Sequence, residues 1–264
     1  MAVILITGAA KRVGRAIAIA LGNIESGAVT RAQQHKIIVH YNASSHEAHQ
    51  VVADIIGNGG HAHAIKQDLF ADNASTILFE NAVKIYGRID VIINSASIFM
   101  PDTLSDLSLD LWQKHQAIHV TVPMMLTHLL YNSCPDNAVK GDVVKNIINI
   151  IDQRVVRPTP EFFSYTASKM FMTSLTKQCA VACSPKVRVN AIAPGSTLPS
   201  MRQSQEDFNQ QAKLTPLGIA VDVGDIVNAI DFVLKSQSMT GEVITLDSGQ
   251  SLDWKTENFL QCKE

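Results

Sequence analysis

No apolar run in this 264-residue chain approaches the roughly 18 residues that a membrane-spanning helix needs. The start, "MAVILITGAA", is apolar but has no basic segment before it and runs into a glycine turn, so it reads as a first strand and not as a signal peptide. Charge of one sign is also missing. A formal net charge of -2 gives no reason to expect nucleic acid or an acidic membrane as partner. Cysteine is scarce: Cys134, Cys179, Cys183 and Cys262. Only Cys179 and Cys183 are close, and neither pairs with further Cys or His at metal-ligand spacing, so they read as small core residues and no metal site is expected. There is no Pro/Gly/Ser-rich linker, no short repeat and no low-complexity segment. With 46% hydrophobic residues the chain can build one sizeable core, and residues 1–264 read as a single domain. A reducing, cytoplasmic location follows.

What is present is an alternation of short apolar runs with longer helical patterns. Strands are expected at Val3–Thr7, Lys36–Tyr41, His61–Lys66, Val91–Asn94, Val144–Ile151, Val187–Ile192 and Glu242–Leu246. Helices are expected at Val13–Leu21, Ser45–Ile56, Ala71–Tyr86, Leu107–Tyr131, Phe163–Ala182 and Val223–Leu234. This order calls for an α/β fold: a doubly wound, seven-stranded parallel sheet with helices on both faces. The polar stretch Asn23–Gln34 reads as a surface extension.

The segment "VILITGAAKRVGRAIAIAL" is strand, glycine turn, helix. Gly8 permits the sharp turn and Gly14 the close approach of the helix, so Gly8, Lys11, Arg12, Val13 and Gly14 are candidates for cradling a pyrophosphate. The second strand ends "IIVHYNASS", without the acid that would bind a ribose 2′-hydroxyl. Instead Asn42, Ser44 and Ser45 lie opposite a loop carrying Lys11 and Arg12, a pairing that fits a 2′-phosphate and therefore NADPH, and His40 is a further cofactor-binding candidate. Asp68 and Leu69 of "QDLF" follow the third strand, where an adenine amino group could be held. Asn94, Ser95 and Ala96 of "NSAS" follow the fourth.

The remaining chemistry lies in "IINIIDQRVVRPTPEFFSYTASK". A buried strand ends on Asp152, and Tyr165 and Lys169 follow one helical turn apart on one face. A phenol with a pKa near ~10 transfers protons poorly at pH 7, and a neighbouring ammonium should lower that value. Lys169 could also hold ribose hydroxyls. Asp152 could relay protons beside Tyr165, or cap the following loop.

Over nearly its full length the chain resembles the short-chain dehydrogenase/reductase family, on "TGAAKRVG", "NSAS", "YTASK", "VRVNAIAPG" and "TGEVITLDSGQSL". The resemblance implies a Rossmann-type reductase, commonly tetrameric, with Tyr165 as acid, Lys169 as its partner, and Pro194, Gly195 and Ser196 against nicotinamide. Four positions depart from the usual pattern: Arg12 for the middle loop glycine, "NSAS" for Asn-Ala-Gly, Asp152 for a Ser, and His119 for a helix Asn. Three of them look like the pteridine reductase branch, which includes bacterial dihydromonapterin and dihydrofolate reductases.

That branch implies a pterin or folate substrate held by Arg12, Ser97, Phe99, Asp152 and Tyr165, with Phe99 stacking the pterin. An Arg usual after "HYN" is replaced by Ala43. A Ser suits a ketone oxygen, whereas a pterin ring nitrogen must gain a proton as hydride reaches the adjacent carbon, and a carboxylic acid beside Tyr165 can supply it. Burial should raise the pKa of Asp152 towards the working range. Rival readings are a carbonyl reductase and a catalytically silent NADP-binding regulator. Ser196–Leu217 reads as an irregular cover over the site.

Overall fold

Seven short runs become seven parallel strands, most of them the near-continuous aliphatic and β-branched runs that a sheet covered on both faces requires. The computed structural model describes residues 1–23, 35–135 and 145–252. Residues 24–34 of the expected extension, Val144 and Cys262 lie outside the described residues. The strands are β1 (Val3–Thr7), β2 (Lys36–Tyr41), β3 (His61–Lys66), β4 (Val91–Asn94), β5 (Lys145–Ile150), β6 (Val187–Pro194) and β7 (Val243–Leu246). They form one sheet in the order β3-β2-β1-β4-β5-β6-β7. Alternate side chains of each strand enter opposite layers. In β1, Ile4 and Ile6 pack with α1 (Arg12–Gly22), α2 (Ser45–Gly57) and α8 (Val223–Lys235), while Val3 and Leu5 pack with helices of the other face. Those are α3 (Ala74–Tyr86), α5 (Val122–Asn132) and α6 (Phe163–Ala182). Among the described residues no helix is long and apolar enough to cross a membrane.

Strand order reverses between β1 and β4, so the crevice at their C-terminal ends is where such a sheet binds ligands. Three expectations are corrected. The helix expected at Leu107–Tyr131 is broken into α4 (Leu109–Gln116), a π turn (Ala117–Thr121) and α5. It starts late because the Ser108 side chain caps it, accepting from the Leu111 N–H at 3.2 Å. The helix expected from Ala71 begins at Ala74, after Asn73 in a left-handed conformation. The cover segment is not irregular throughout: α7 (Gln205–Lys213) opens with a capping box between Ser204 and Asp207.

Candidate active site

The glycine turn is shaped by close backbone approach. Gly8 has φ +66°, and a Cβ there would lie 2.8 Å from Ala96 Cα; a Cβ on Gly14 would lie 2.4 Å from the Gly8 carbonyl oxygen. No side chain caps α1, so its first N–H groups have no partner from the helix and suit a pyrophosphate. Arg12, where a glycine is usual, holds φ 54°.

His40 supports this turn. The Gly8 N–H donates to His40 Nδ1 at 3.0 Å, which leaves the ring proton on Nε2, donated to the Gln67 carbonyl at 2.9 Å. His40 was expected to touch the cofactor. Its side chain is buried with both nitrogens engaged, so what the ring does is hold the glycine turn. Burial pushes its pKa down to about 4. The unfolded chain therefore binds more protons than the folded one between pH 6.5 and about 4. Stability from His40 is complete above that window and lost as pH falls through it, by about 3 kcal/mol. Thermal unfolding should show this slope, and His40→Gln should flatten it.

The two loop cations diverge. Lys11 Nζ pairs with Glu47 on the first turn of α2 at 2.8 Å, beside Ser44. The Arg12 guanidinium instead donates to the carbonyls of Pro199 (2.6 Å) and Leu198 (3.2 Å) in the cover segment. Of the two cations, Lys11 therefore lies at the Ser44 end, and Arg12 ties the cover to the glycine turn. Asn42 donates to Asp68 Oδ1 at 3.3 Å, an oxygen that also accepts the Phe70 N–H at 3.0 Å. Leu69 is in the core, so only its backbone is offered at the edge.

Between the two ends, Thr7 Oγ1 accepts the N–H groups of both Ser95 and Ala96 at 3.0 Å. Asn94 donates to Asn149 Oδ1 at 2.8 Å, and Asn149 to Thr176 Oγ1 at 2.9 Å. Pro194 ends β6. Gly195 lies so close to Asp247 that a Cβ would meet its Cα at 2.8 Å, and the Ser196 N–H donates to Gln250 Oε1 at 3.3 Å.

Asp152 leaves β5 and does both things its position allows. Its Oδ1 accepts the Arg154 N–H at 2.9 Å, capping a 3₁₀ turn, while Oδ2 accepts the Tyr165 hydroxyl at 2.9 Å. Lys169 donates to the Ile150 carbonyl at 2.9 Å, with Nζ 5.7 Å from the Tyr165 ring centroid. Burial raises the carboxyl pKa of Asp152, as expected. Burial also lowers that of Lys169 to about 8. The expected lowering of the phenol is corrected. Burial first, and then the Asp152 charge, hold Tyr165 well above the usual phenol value. The phenol is kept protonated, the state a proton donor needs.

His119 lies in the π turn and forms a chain between two elements of the site. Ser168 Oγ donates to the Tyr165 carbonyl at 2.6 Å, so it accepts from His119 Nδ1 at 2.8 Å. Nε2 then accepts from Ser97 Oγ at 2.8 Å. Burial holds the ring neutral, with its pKa well below the ordinary histidine value. The chain ends on a backbone carbonyl, so it fixes Ser97 to α6.

Phe99 lies edge-on to Tyr165, with ring centroids 4.7 Å apart. Its partner Phe162, stacked on it at 4.1 Å, was missed by sequence reasoning, as was Arg202, which donates to the Phe99 carbonyl at 3.0 Å. The doublet "EFF" before α6 was the available signal for Phe162; Arg202 had none beyond its place in the cover.

The sequence profile of the short chain dehydrogenase family matches residues 2–210. The chain is 26% identical to dihydromonapterin reductase of Escherichia coli (strain SMS-3-5 / SECEC), covering 94% of this chain and 96% of that protein. It is 24% identical to glucose 1-dehydrogenase 2 of Bacillus subtilis (strain 168), covering 94% of each. Among solved structures, FolM alternative dihydrofolate reductase 1 from Brucella suis, in complex with NADP, is similar at a TM-score of 0.88 and 35% identity. That likeness covers 97% of this chain and 98% of the other.

Proposed function

The chain belongs to the short-chain dehydrogenase family, and from that premise we propose that it is an NADPH-dependent reductase of a dihydropterin or dihydrofolate. The observation that carries this reading is the Tyr165–Asp152 hydrogen bond, set beside an aromatic ring that can stack a flat heterocycle. Support for the cofactor comes from the uncapped α1 N-terminus and the Gly8–Gly14 approach, a cradle that side chains would fill. Lys11, Asn42 and Ser44 are assigned to the 2′-phosphate end, Asp68 and Leu69 to adenine, and Asn94–Ala96 and Pro194–Ser196 to the nicotinamide side. When bound, NADPH supplies hydride to the carbon of the substrate's C=N bond.

The chain's part is the proton. Tyr165 donates its hydroxyl proton to the adjacent ring nitrogen, and the protonated carboxyl of Asp152 restores it. Lys169 neutralises the transient phenolate and offers its remaining N–H groups to ribose hydroxyls. Arg12, Ser97 and Phe99 line the substrate side. A ketone reductase has no use for the buried carboxyl where a Ser would hydrogen-bond the oxygen, and a silent regulator has no use for the intact Asp152, Tyr165 and Lys169.

The test is consumption of NADPH with dihydrofolate, dihydrobiopterin and a panel of ketones. Turnover confined to the pterins is expected. Turnover confined to ketones, or cofactor binding with no turnover, would overturn the reading.

The proposed location is cytoplasmic, testable by fractionation. The proposed assembly is a homotetramer, supported by Met124 on α5 and Met170, Phe171 and Val181 on α6, all exposed in the single chain. A solution mass four times that of the chain is the expected result.

A further inference from the structure

Beyond the proton-handling groups, Phe99 belongs to a cluster whose other members the proposed reaction leaves unused. Phe99, after β4, and Phe162, at the start of α6, stack with centroids 4.1 Å apart and planes within 5°. Two guanidinium groups flank this stack. The central carbon of Arg202 lies 5.2 Å from the Phe99 centroid and 5.4 Å from that of Phe162. That of Arg154 lies 6.0 and 5.1 Å away. Arg202 comes from the cover segment and Arg154 from the turn after β5.

Neither cation has a carboxylate partner at ion-pair distance among the described residues. Arg202 gives one bond to the Phe99 carbonyl and Arg154 one to Thr159 Oγ1, so each fork keeps donors to spare. Phe162 holds φ 56° and ψ 45°, a left-handed conformation that strains the backbone of a residue with a side chain. That strain is borne where the ring meets Phe99 and both arginines.

The position decides which ligand this cluster can serve. The stack touches Tyr165, the proposed proton donor to the substrate, whereas Lys11, at the end assigned to the 2′-phosphate, is paired with Glu47 of α2. A group reaching the two arginines extends from the substrate and not from the cofactor's adenosine. Aromatic surface between planar cations suits a carboxylate carried on an aryl group: the ring continues the stack and the forks take the anion.

We propose that Arg154 and Arg202, with Phe99 and Phe162, form a subsite for an aryl-linked carboxylate tail on the pterin. The enzyme then favours dihydrofolate over a dihydropterin with an uncharged side chain. This rests on the pterin-reductase reading.

Arg154 lies beside Asp152, so its loss also disturbs proton handling, and Arg202→Gln is the cleaner probe. The Michaelis constant for dihydrofolate should rise about tenfold, the loss of roughly one charge-assisted contact, with kcat little changed. That for dihydrobiopterin should move far less. Added salt should raise the dihydrofolate constant of the unaltered enzyme, and Arg202→Gln should blunt that rise. Equal rises for both substrates, or none for dihydrofolate, would overturn the subsite while leaving the pterin reading intact. Failure of the unaltered enzyme on both pterins would overturn the reading and the subsite together.

Discussion

Asp152→Asn should lower pterin turnover by the ~10²–10⁴ typical of lost acid–base catalysis, with the fold and NADPH affinity retained. The amide is nearly isosteric, and its oxygen can still accept the Arg154 N–H that caps the turn after β5. What changes is the other end. Asp152 Oδ2 accepts the Tyr165 hydroxyl; an amide nitrogen there would donate to that oxygen, reversing the bond and leaving no carboxyl proton to restore the phenol. The pH profile separates this from a packing defect. Burial raises the Asp152 pKa, and the proposed relay uses its protonated form, so turnover should decline as pH rises through that raised value. The limb should be absent in Asp152→Asn. Wild-type turnover in the variant would reduce Asp152 to a turn cap.

Gly14→Ala should cost NADPH affinity by about 10- to 100-fold, the equivalent of roughly 1–3 kcal/mol of overpacking. The new Cβ would lie 2.4 Å from the Gly8 carbonyl oxygen and 3.0 Å from its carbon. Those are backbone atoms at the end of a central strand, with no rotamer to yield. Either α1 moves away from the sheet or the turn opens, and the amides aimed at a pyrophosphate go with it. Gly57→Ala is the control, since a Cβ there meets nothing within 4 Å. Titration of NADPH fluorescence with both variants reads the difference. Equal affinities would mean that the close approach does not shape the cofactor cradle.

How much was legible in the sequence follows from which signals are local. Strands β1, β2 and β4 have the bounds expected from apolar runs, because each is buried along most of its length; β3 also has its expected bounds but alternates, as suits a strand at the sheet edge. The helix α7 was overlooked because only Phe208 and Ala212 of its residues are buried, too few to print a helical period, although Ser204 and Asp207 had the spacing of a cap. The π turn at Ala117–Thr121 leaves no periodic trace over one turn. The left-handed conformations of Arg12 and Phe162 were invisible because neither residue is a glycine.

At the site, motif spacing brought Asp152, Tyr165 and Lys169 to attention, but the sign of the Tyr165 shift depends on depth of burial, which spacing does not encode. Arg12 was read as a phosphate ligand from its place in the loop. Its bonds to Leu198 and Pro199 span 186 and 187 residues, and nothing local could have announced them.

The central claim is that the carboxyl beside Tyr165 sets the substrate class by delivering a proton to a ring nitrogen. Asp152→Ser tests it most directly, because it exchanges the carboxyl for the hydroxyl that suits a ketone oxygen. The measurement is the ratio of dihydropterin to ketone turnover at saturating NADPH, in the unaltered enzyme and in the variant. The account predicts that pterin turnover collapses while ketone turnover holds or rises. Pterin turnover unchanged in Asp152→Ser would contradict it.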